Sequence, residues 1–222
     1  MPELHQNIID DLTSVTTESW RTLRVMGEMI TAFDTLNEVK GNCISIFGSA
    51  RCKPESKAYQ DAEKIAFDLS KAGFGIITGG GPGVMEAANK GAVEAGGESI
   101  GLHINLPHEQ SCNQYVRRRC NFHYFFTRKL MFVKYAMAYV VMPGGMGTID
   151  ELSEAFVLAQ TKRMKPFPII LYDAQYWSGF HEWLSKSMVA GGYIREEEIE
   201  RLVTVCDSPD EVVSILSKYV IV

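Results

Sequence analysis

The sequence predicts an α/β protein: a Rossmann-like, doubly wound, mainly parallel sheet with helices on both faces, preceded by an N-terminal helical extension. Three observations carry this. Short apolar runs alternate with amphipathic segments of helical period along most of the 222 residues. Glycine-rich turns follow three of those runs, at Gly48-Ser49, Gly79 to Gly83 and Gly144 to Gly147. The composition, 46% hydrophobic and 22% charged, suits one buried core rather than two full domains.

Within residues 1–41, Ile8, Ile9, Leu12, Val15, Leu23, Met26, Ile30, Phe33 and Leu36 recur mostly at three- and four-residue steps. That spacing predicts one or two amphipathic helices. Val39-Lys40-Gly41-Asn42 interrupts the pattern, and residues 42–222 are expected to form the sheet domain. Cys43 to Phe47 is its first strand. A helix over 57–72 stops at Gly73, and Phe74 to Thr78 is a strand running into the second glycine turn. The following helix, Val84 to Glu94, ends at Gly96-Gly97, and Ser99 to Ile104 is again strand. Residues 105–119 read as loop with room for a short helix. Helix over 126–136, strand over 138–142, helix over 149–160, strand over 168–172 and helix over 176–190 follow. Strand over 202–205 and helix over 209–219 close the chain. In such sheets ligands sit beyond the carboxyl ends of the strands, where the three glycine turns gather.

Charge and cysteine usage exclude several classes. The net charge is −5, and residues 1–40 hold seven acids and three bases, which leaves the rest nearly neutral. No basic face for nucleic acid is expected, and Arg117-Arg118-Arg119 reads as solvated surface. Five cysteines without a Cys-x-x-Cys pair argue for a reducing compartment. Neither a His-x-x-x-His metal pair nor a Gly-x-Ser-x-Gly elbow occurs. No apolar run is long enough for a bilayer, and the acidic N-terminus is unlike a secretory signal, so a cytoplasmic protein with no membrane partner is expected.

Met142 to Glu151 is the most informative stretch. It reads as strand end, glycine turn and helix start. Gly144, Gly145 and Gly147 can take positive φ and let backbone N–H groups approach an anion, which the positive end of the helix dipole also favours. Thr148 can cap the helix and also offers a hydroxyl. Glu151 then has two readings. It closes a capping box on Thr148, or it is a carboxylate held beside a bound phosphate and able to work on the attached sugar. Neither glycine turn matches Gly-x-Gly-x-x-Gly, and no Gly-Lys-Ser/Thr follows, which disfavours a dinucleotide or a triphosphate. Tight packing alone would explain one glycine cluster; three strand ends with glycines point to a phosphate-bearing small ligand. With Thr127 as a cap, Arg128 and Lys129 fall in a helix's first turn, where the dipole disfavours cations. Snorkelling to water accounts for Lys129 as well as a role does, while Arg128, among Phe125, Phe126, Met131 and Phe132, suits an anion or a base. Glu86, in another first turn, reads as dipole compensation.

Pro143-Gly144-Gly145-Met146-Gly147-Thr148-Ile149-Asp150-Glu151 resembles the Pro-Gly-Gly-x-Gly-Thr-x-x-Glu signature of the LONELY GUY family, the cytokinin riboside 5′-monophosphate phosphoribohydrolases. Gly79 to Met85 and Arg128-Lys129 match its other two hallmarks, and the likeness runs from about Cys43 to Leu216. The N-terminal helices and Leu106-Pro107-His108-Glu109-Gln110 are similar to the longer bacterial branch. The resemblance implies that 42–222 is a nucleotide-binding catalytic domain. It implies hydrolysis of the N-glycosidic bond of a nucleoside 5′-monophosphate, AMP or an N6-substituted AMP, to free base and ribose 5-phosphate. Arg128 and Glu151 would be the catalytic pair. Ser49, Gly80, Gly81, Glu109, Lys129, Pro143, Gly144, Gly145, Gly147 and Thr148 would contact substrate, although an acid after Pro107 is also ordinary loop surface. Neither metal nor organic cofactor is implied. A homodimer or higher homo-oligomer is, with the N-terminal helices and those around Arg128 to Tyr135 and Ile149 to Gln160 at its interface. Met131, Phe132, Tyr135, Phe156 and Leu158 are the surplus apolar side chains there. Two alternatives remain. Members have been labelled lysine decarboxylases, which requires pyridoxal phosphate on a lysine that nothing here selects. A non-enzymatic nucleotide or cofactor carrier or sensor, as in the related molybdenum-cofactor carrier-like fold, is the other.

Overall fold

The computed structural model describes residues 15–105, 112–161, 163 and 167–220. Seven strands form one parallel sheet in the order β4-β3-β2-β1-β5-β6-β7. In chain order these are β1 (Cys43–Phe47), β2 (Gly75–Thr78), β3 (Ser99–Ile104), β4 (Arg118–Phe122), β5 (Ala136–Val141), β6 (Ile169–Tyr172) and β7 (Val203–Cys206). The helices are α1 (Val15–Asn37), α2 (Lys57–Lys71), α3 (Val84–Glu94), α4 (Phe125–Tyr135), α5 (Met146–Gln160), α6 (Ala174–Trp183), α7 (Glu196–Leu202) and α8 (Pro209–Val220). The helical periodicity expected before Val15 lies outside the described residues.

Side chains alternate across the strands, so each face buries its own core. Ile44, Ile46, Ile76, Val140 and Ile170 pack against Ile65 and Leu69 of α2, Val84 and Ala88 of α3 and Val212 of α8. Phe47, Leu102, Phe122, Tyr139 and Leu171 pack on the other face against α4, α5 and α6, through Phe132, Leu152 and Trp177. Ala32 and Leu36 carry α1 onto that second core. Helix ends follow the glycines. Gly73, with φ 95°, lets Phe74 N–H reach back to Leu69 O at 3.0 Å and stop α2.

Three elements depart from the sequence reading. β4 takes the last two residues of the loop expected over 105–119 and runs three residues beyond it: in Arg118-Arg119-Cys120-Asn121-Phe122 only Cys120 and Phe122 are buried, so this edge strand is too polar for a continuous apolar signal. Its Arg118 is not merely solvated, since it binds Glu98 and Glu38, each at 2.9 Å. α7 is a helix of three consecutive glutamates and one turn more, hidden by its charge. The single helix expected over 176–190 is α6 followed by a π-helical segment, Leu184–Val189, a wider turn that hydrophobic spacing does not distinguish.

Topology positions the glycine turns. β2, β1 and β5 are adjacent, and the chain crosses from edge strand β4 back to the far side of β1. The order therefore reverses beside β1, which opens a crevice at the strands' carboxyl ends.

Candidate active site

The three turns close on one another through their backbones. Ser49 N–H donates to Pro143 O and Val84 N–H to Ser49 O, both at 3.0 Å. Gly48 packs under the Val84 side chain, where an added Cβ would lie 2.7 Å from Cγ1. Around Gly79 to Gly83 the glycines answer to packing. Gly80 and Gly83 have φ of 73° and 68°, and a Cβ on Gly83 would stand 2.3 Å from Ser49 O. On Gly80 it would meet Cys112 Sγ at 2.8 Å, and on Gly81 it would meet Met85 Cε at 2.7 Å. A buried polar network holds this turn. Thr78 Oγ1 donates to Asn89 Oδ1 at 2.6 Å, and Asn113 Nδ2 donates to Gly81 O at 2.9 Å and Asn89 Oδ1 at 3.0 Å. Asn89, fully buried between Ala88 and Ala92 on α3, was not singled out from the sequence; a polar residue within an apolar stripe was its signal.

The turn from Pro143 to Thr148 is built differently. None of its glycines has positive φ among the described residues, contrary to expectation, and Gly145 is extended at φ −94°. Gly144 is close-packed, with Thr148 Oγ1 2.1 Å from where a Cβ would be, whereas a Cβ on Gly145 or Gly147 would meet nothing within 4 Å. Packing thus explains Gly144 and leaves the bare faces of Gly145 and Gly147 open to a ligand. α5 begins at Met146, three residues before the expected start, with Gly145 as its N-cap and no capping side chain. Ile149 N–H to Gly145 O, at 3.1 Å, is the first helical bond. The N–H groups of Gly145 to Thr148 therefore precede any partner within the helix and, with the dipole, form an anion cradle. Thr148 is a buried first-turn residue rather than the cap, so Glu151 is the sixth residue of α5 and closes no capping box with it. The Tyr176 hydroxyl donates to Gly144 O and holds the cradle from α6. Sequence reasoning missed it, because α6 follows β6 and only the folded sheet brings its first turn beside β5.

Arg128 and Glu151 reach the same crevice from α4 and α5. Arg128 Nε donates to Leu102 O at 2.8 Å, the guanidinium lies 5.3 Å from the Phe132 ring centre, and Nη2 lies where a Gly79 side chain would start. α4 begins at Phe125, with Tyr124 as its N-cap, so Arg128 is the fourth helical residue and Thr127 does not cap. Burial pushes the half-buried Glu151 carboxyl above the usual carboxylate range, and the Arg128 charge is the leading influence against that rise. Lys129 turns to α5, with Nζ 2.7 Å from Asp150 Oδ1 and 3.4 Å from Glu154 Oε2. Burial works to lower its pKa, but those two acids together carry it above the ordinary lysine value. Ser49 Oγ accepts Arg51 N–H at 3.1 Å at the rim. Glu109 lies outside the described residues. Among those described, no group of His, Cys, Asp or Glu could hold a metal ion, and no helix is long and apolar enough to cross a membrane.

The family described as possible lysine decarboxylase matches residues 85–216, more than half of the chain and all of α4, β5 and α5. The chain belongs to this family, the LONELY GUY family. A LONELY GUY relative, the cytokinin riboside 5′-monophosphate phosphoribohydrolase of Mycobacterium marinum, is 25% identical over 151 residues, 67% of this chain and 80% of that protein. The enzyme of that name, LOG, from Oryza sativa subsp. japonica is 28% identical over 180 residues, 78% of this chain and 71% of its own. Among solved structures, the molybdenum cofactor binding protein of Rippkaea orientalis superposes with a TM-score of 0.58 over 82% of this chain and 99% of its own. At 21% identity that likeness shows the Rossmann-like fold alone.

Proposed function

We propose that this chain hydrolyses the N-glycosidic bond of a nucleoside 5′-monophosphate, AMP or an N6-substituted AMP, to free base and ribose 5-phosphate. One observation carries the reading: the open anion cradle and a carboxylate opposed by an arginine share helix α5. Glu151 follows Gly147 by four residues, about 6 Å along the axis, which is the scale of one sugar ring. A 5′-phosphate on the N–H groups of Gly145 to Thr148 would set the ribose against Glu151. As the C1′–N bond breaks, the ribose gains oxocarbenium character that the carboxylate stabilises while it orients water. The water oxygen bonds to C1′, one of its protons reaches the departing base, and Arg128 offsets the negative charge on that base. Gly80, Gly81, Ser49, Pro143 and Gly144 shape the crevice walls through their backbones.

Pyridoxal phosphate chemistry fits the residues poorly. A Schiff-base lysine needs a depressed pKa, and Lys129, the lysine beside the cradle, is held protonated by Asp150 and Glu154. A carrier uses the cradle alone and gives the half-buried Glu151 carboxylate opposed by Arg128 no work to do. The test is to incubate the purified protein with a panel of nucleoside monophosphates and measure base and ribose 5-phosphate by chromatography. Stoichiometric release of both, unaffected by chelator, is expected. Lysine decarboxylation dependent on added pyridoxal phosphate, without base release, would overturn the reading.

The working unit is proposed to be a homodimer. Trp20, Leu23, Met26 and Ile30 form an exposed stripe on α1, continued by Phe125, Phe126 and Leu130 on α4. Met131 and Phe132, expected at that surface, are core residues instead.

A further inference from the structure

α1 lies outside the segment that matches the family, residues 85–216, yet it grips the helix that carries Arg128. α4 starts without a cap of its own. Tyr124 at the N-cap makes no side-chain hydrogen bond to the helix, and its first turn holds no acid. Such an end leaves N–H groups without helical partners and disfavours the nearby Arg128 and Lys129. Glu28 of α1 supplies the missing anion from another element. Its Oε1 accepts the His123 backbone N–H at 2.9 Å, and its Oε2 lies 2.8 Å from the Thr127 hydroxyl, whose single proton it shares with Tyr124 O, also at 2.8 Å. Bonds to an ionised carboxylate are the stronger kind, and Thr127, fully buried, is the residue immediately before Arg128.

The attachment continues along both helices. The Arg21 guanidinium lies 5.7 Å from the Tyr124 ring centre, and Lys134 Nζ lies 5.5 Å from that of Phe33. Tyr135 OH donates to Asn37 Oδ1 at 2.8 Å. Arg21, Glu28, Phe33 and Asn37 thus meet residues 124, 127, 134 and 135 in rising order. α1 and α4 run in the same direction and are tied at both ends. Arg128 has little room to absorb a shift of its helix, because its guanidinium fills the space beside Gly79 that Met85 Sδ also borders.

We propose that α1 is a positioning element for the active site, with Glu28 as the positioning residue that sets Arg128 by fixing the first turn of α4. This rests on the phosphoribohydrolase reading. The test compares full-length Glu28→Ala and Glu28→Gln with Glu38→Ala, whose carboxylate, one residue past the end of α1, binds Arg118 of β4. AMP hydrolysis is measured at a temperature where every variant is folded. Because small misplacements cost orders of magnitude, kcat of Glu28→Ala should fall about tenfold while KM changes less than about twofold. Glu28→Gln, which keeps one acceptor oxygen, should fall between, and Glu38→Ala should match wild type. A Glu28→Ala protein with wild-type kcat and KM, and only a lower melting temperature, overturns the proposal. Should wild type split no monophosphate, the function reading fails separately, and amide exchange over 123–128 decides this one. Faster exchange in Glu28→Ala than in Glu38→Ala supports it; equal exchange overturns it.

Discussion

Glu151 combines a raised pKa with an opposing arginine, and both leave a mark on pH dependence. The acid limb of kcat/KM should lie above the ordinary glutamate value of about 4.3, and Arg128→Ala should move the Glu151 carboxyl, followed by NMR, further upward. Folding favours the protonated form of a group whose pKa it raises. That contribution is present at acid pH and is lost as the pH climbs from the ordinary value through the raised one. At neutral pH the charged carboxylate is therefore a cost to stability. Glu151→Gln should melt no lower than wild type and still bind AMP, with turnover reduced by at least about 10²-fold. Retained turnover would leave Glu151 without a catalytic role. The glycines divide in the same way between function and fold. Gly145→Ala meets no atom within 4 Å and has an ordinary φ, so the fold should persist while KM for AMP rises. Gly83→Ala, at φ 68° and against Ser49 O, should cost about 1–3 kcal/mol or more in denaturant unfolding. Equal stability of the two variants would contradict this division.

Between elements, Lys129 joins α4 to α5 next door to the proposed catalytic pair, since Arg128 precedes it and Glu151 follows Asp150. Its side chain is 18% exposed and meets two acids, a better setting than an isolated surface pair. A double-mutant cycle of Lys129→Met and Asp150→Asn should give about 1 kcal/mol of coupling, with turnover lowered in each single variant and no lower in the double. A rise in KM confined to Lys129→Met would instead make Lys129 a phosphate ligand, as the resemblance implies. Most elements were legible because their apolar residues repeat with the period of a strand or a helix. β4 and α7 were not, because Arg118 and Arg119 in one and Glu196 to Glu198 in the other mask the few side chains that pack. Thr127 and Thr148 have the chemistry of caps, but the helices begin earlier, at Phe125 and Met146, so both hydroxyls fall inside the first turn.

Over the whole molecule, both sheet faces are covered, yet apolar surface remains where α1 lies beside α4. A homodimer through that stripe should give twice the chain mass in light scattering. Leu23→Glu with Ile30→Glu, both exposed and outside the core, should give the monomer mass without loss of helix content. A monomeric wild-type chain at micromolar concentration would refute the assembly.

By itself the sequence determined the fold class, the strand and helix order through most of the chain, and the meeting of three glycine turns at the strands' carboxyl ends. Those follow from local periodicity and from glycine chemistry, which each segment carries without its neighbours. Only the tertiary structure decided which glycines are spoken for by packing and which lie open, since Gly83 and Gly145 differ in what faces them rather than in kind. It also decided that Lys129 meets Asp150, that Tyr176 bonds Gly144 O, and that Glu28 ties α1 to the start of a helix far along the chain. These contacts join residues distant in sequence, and no local pattern records them, because each depends on where the sheet delivers the two elements in space.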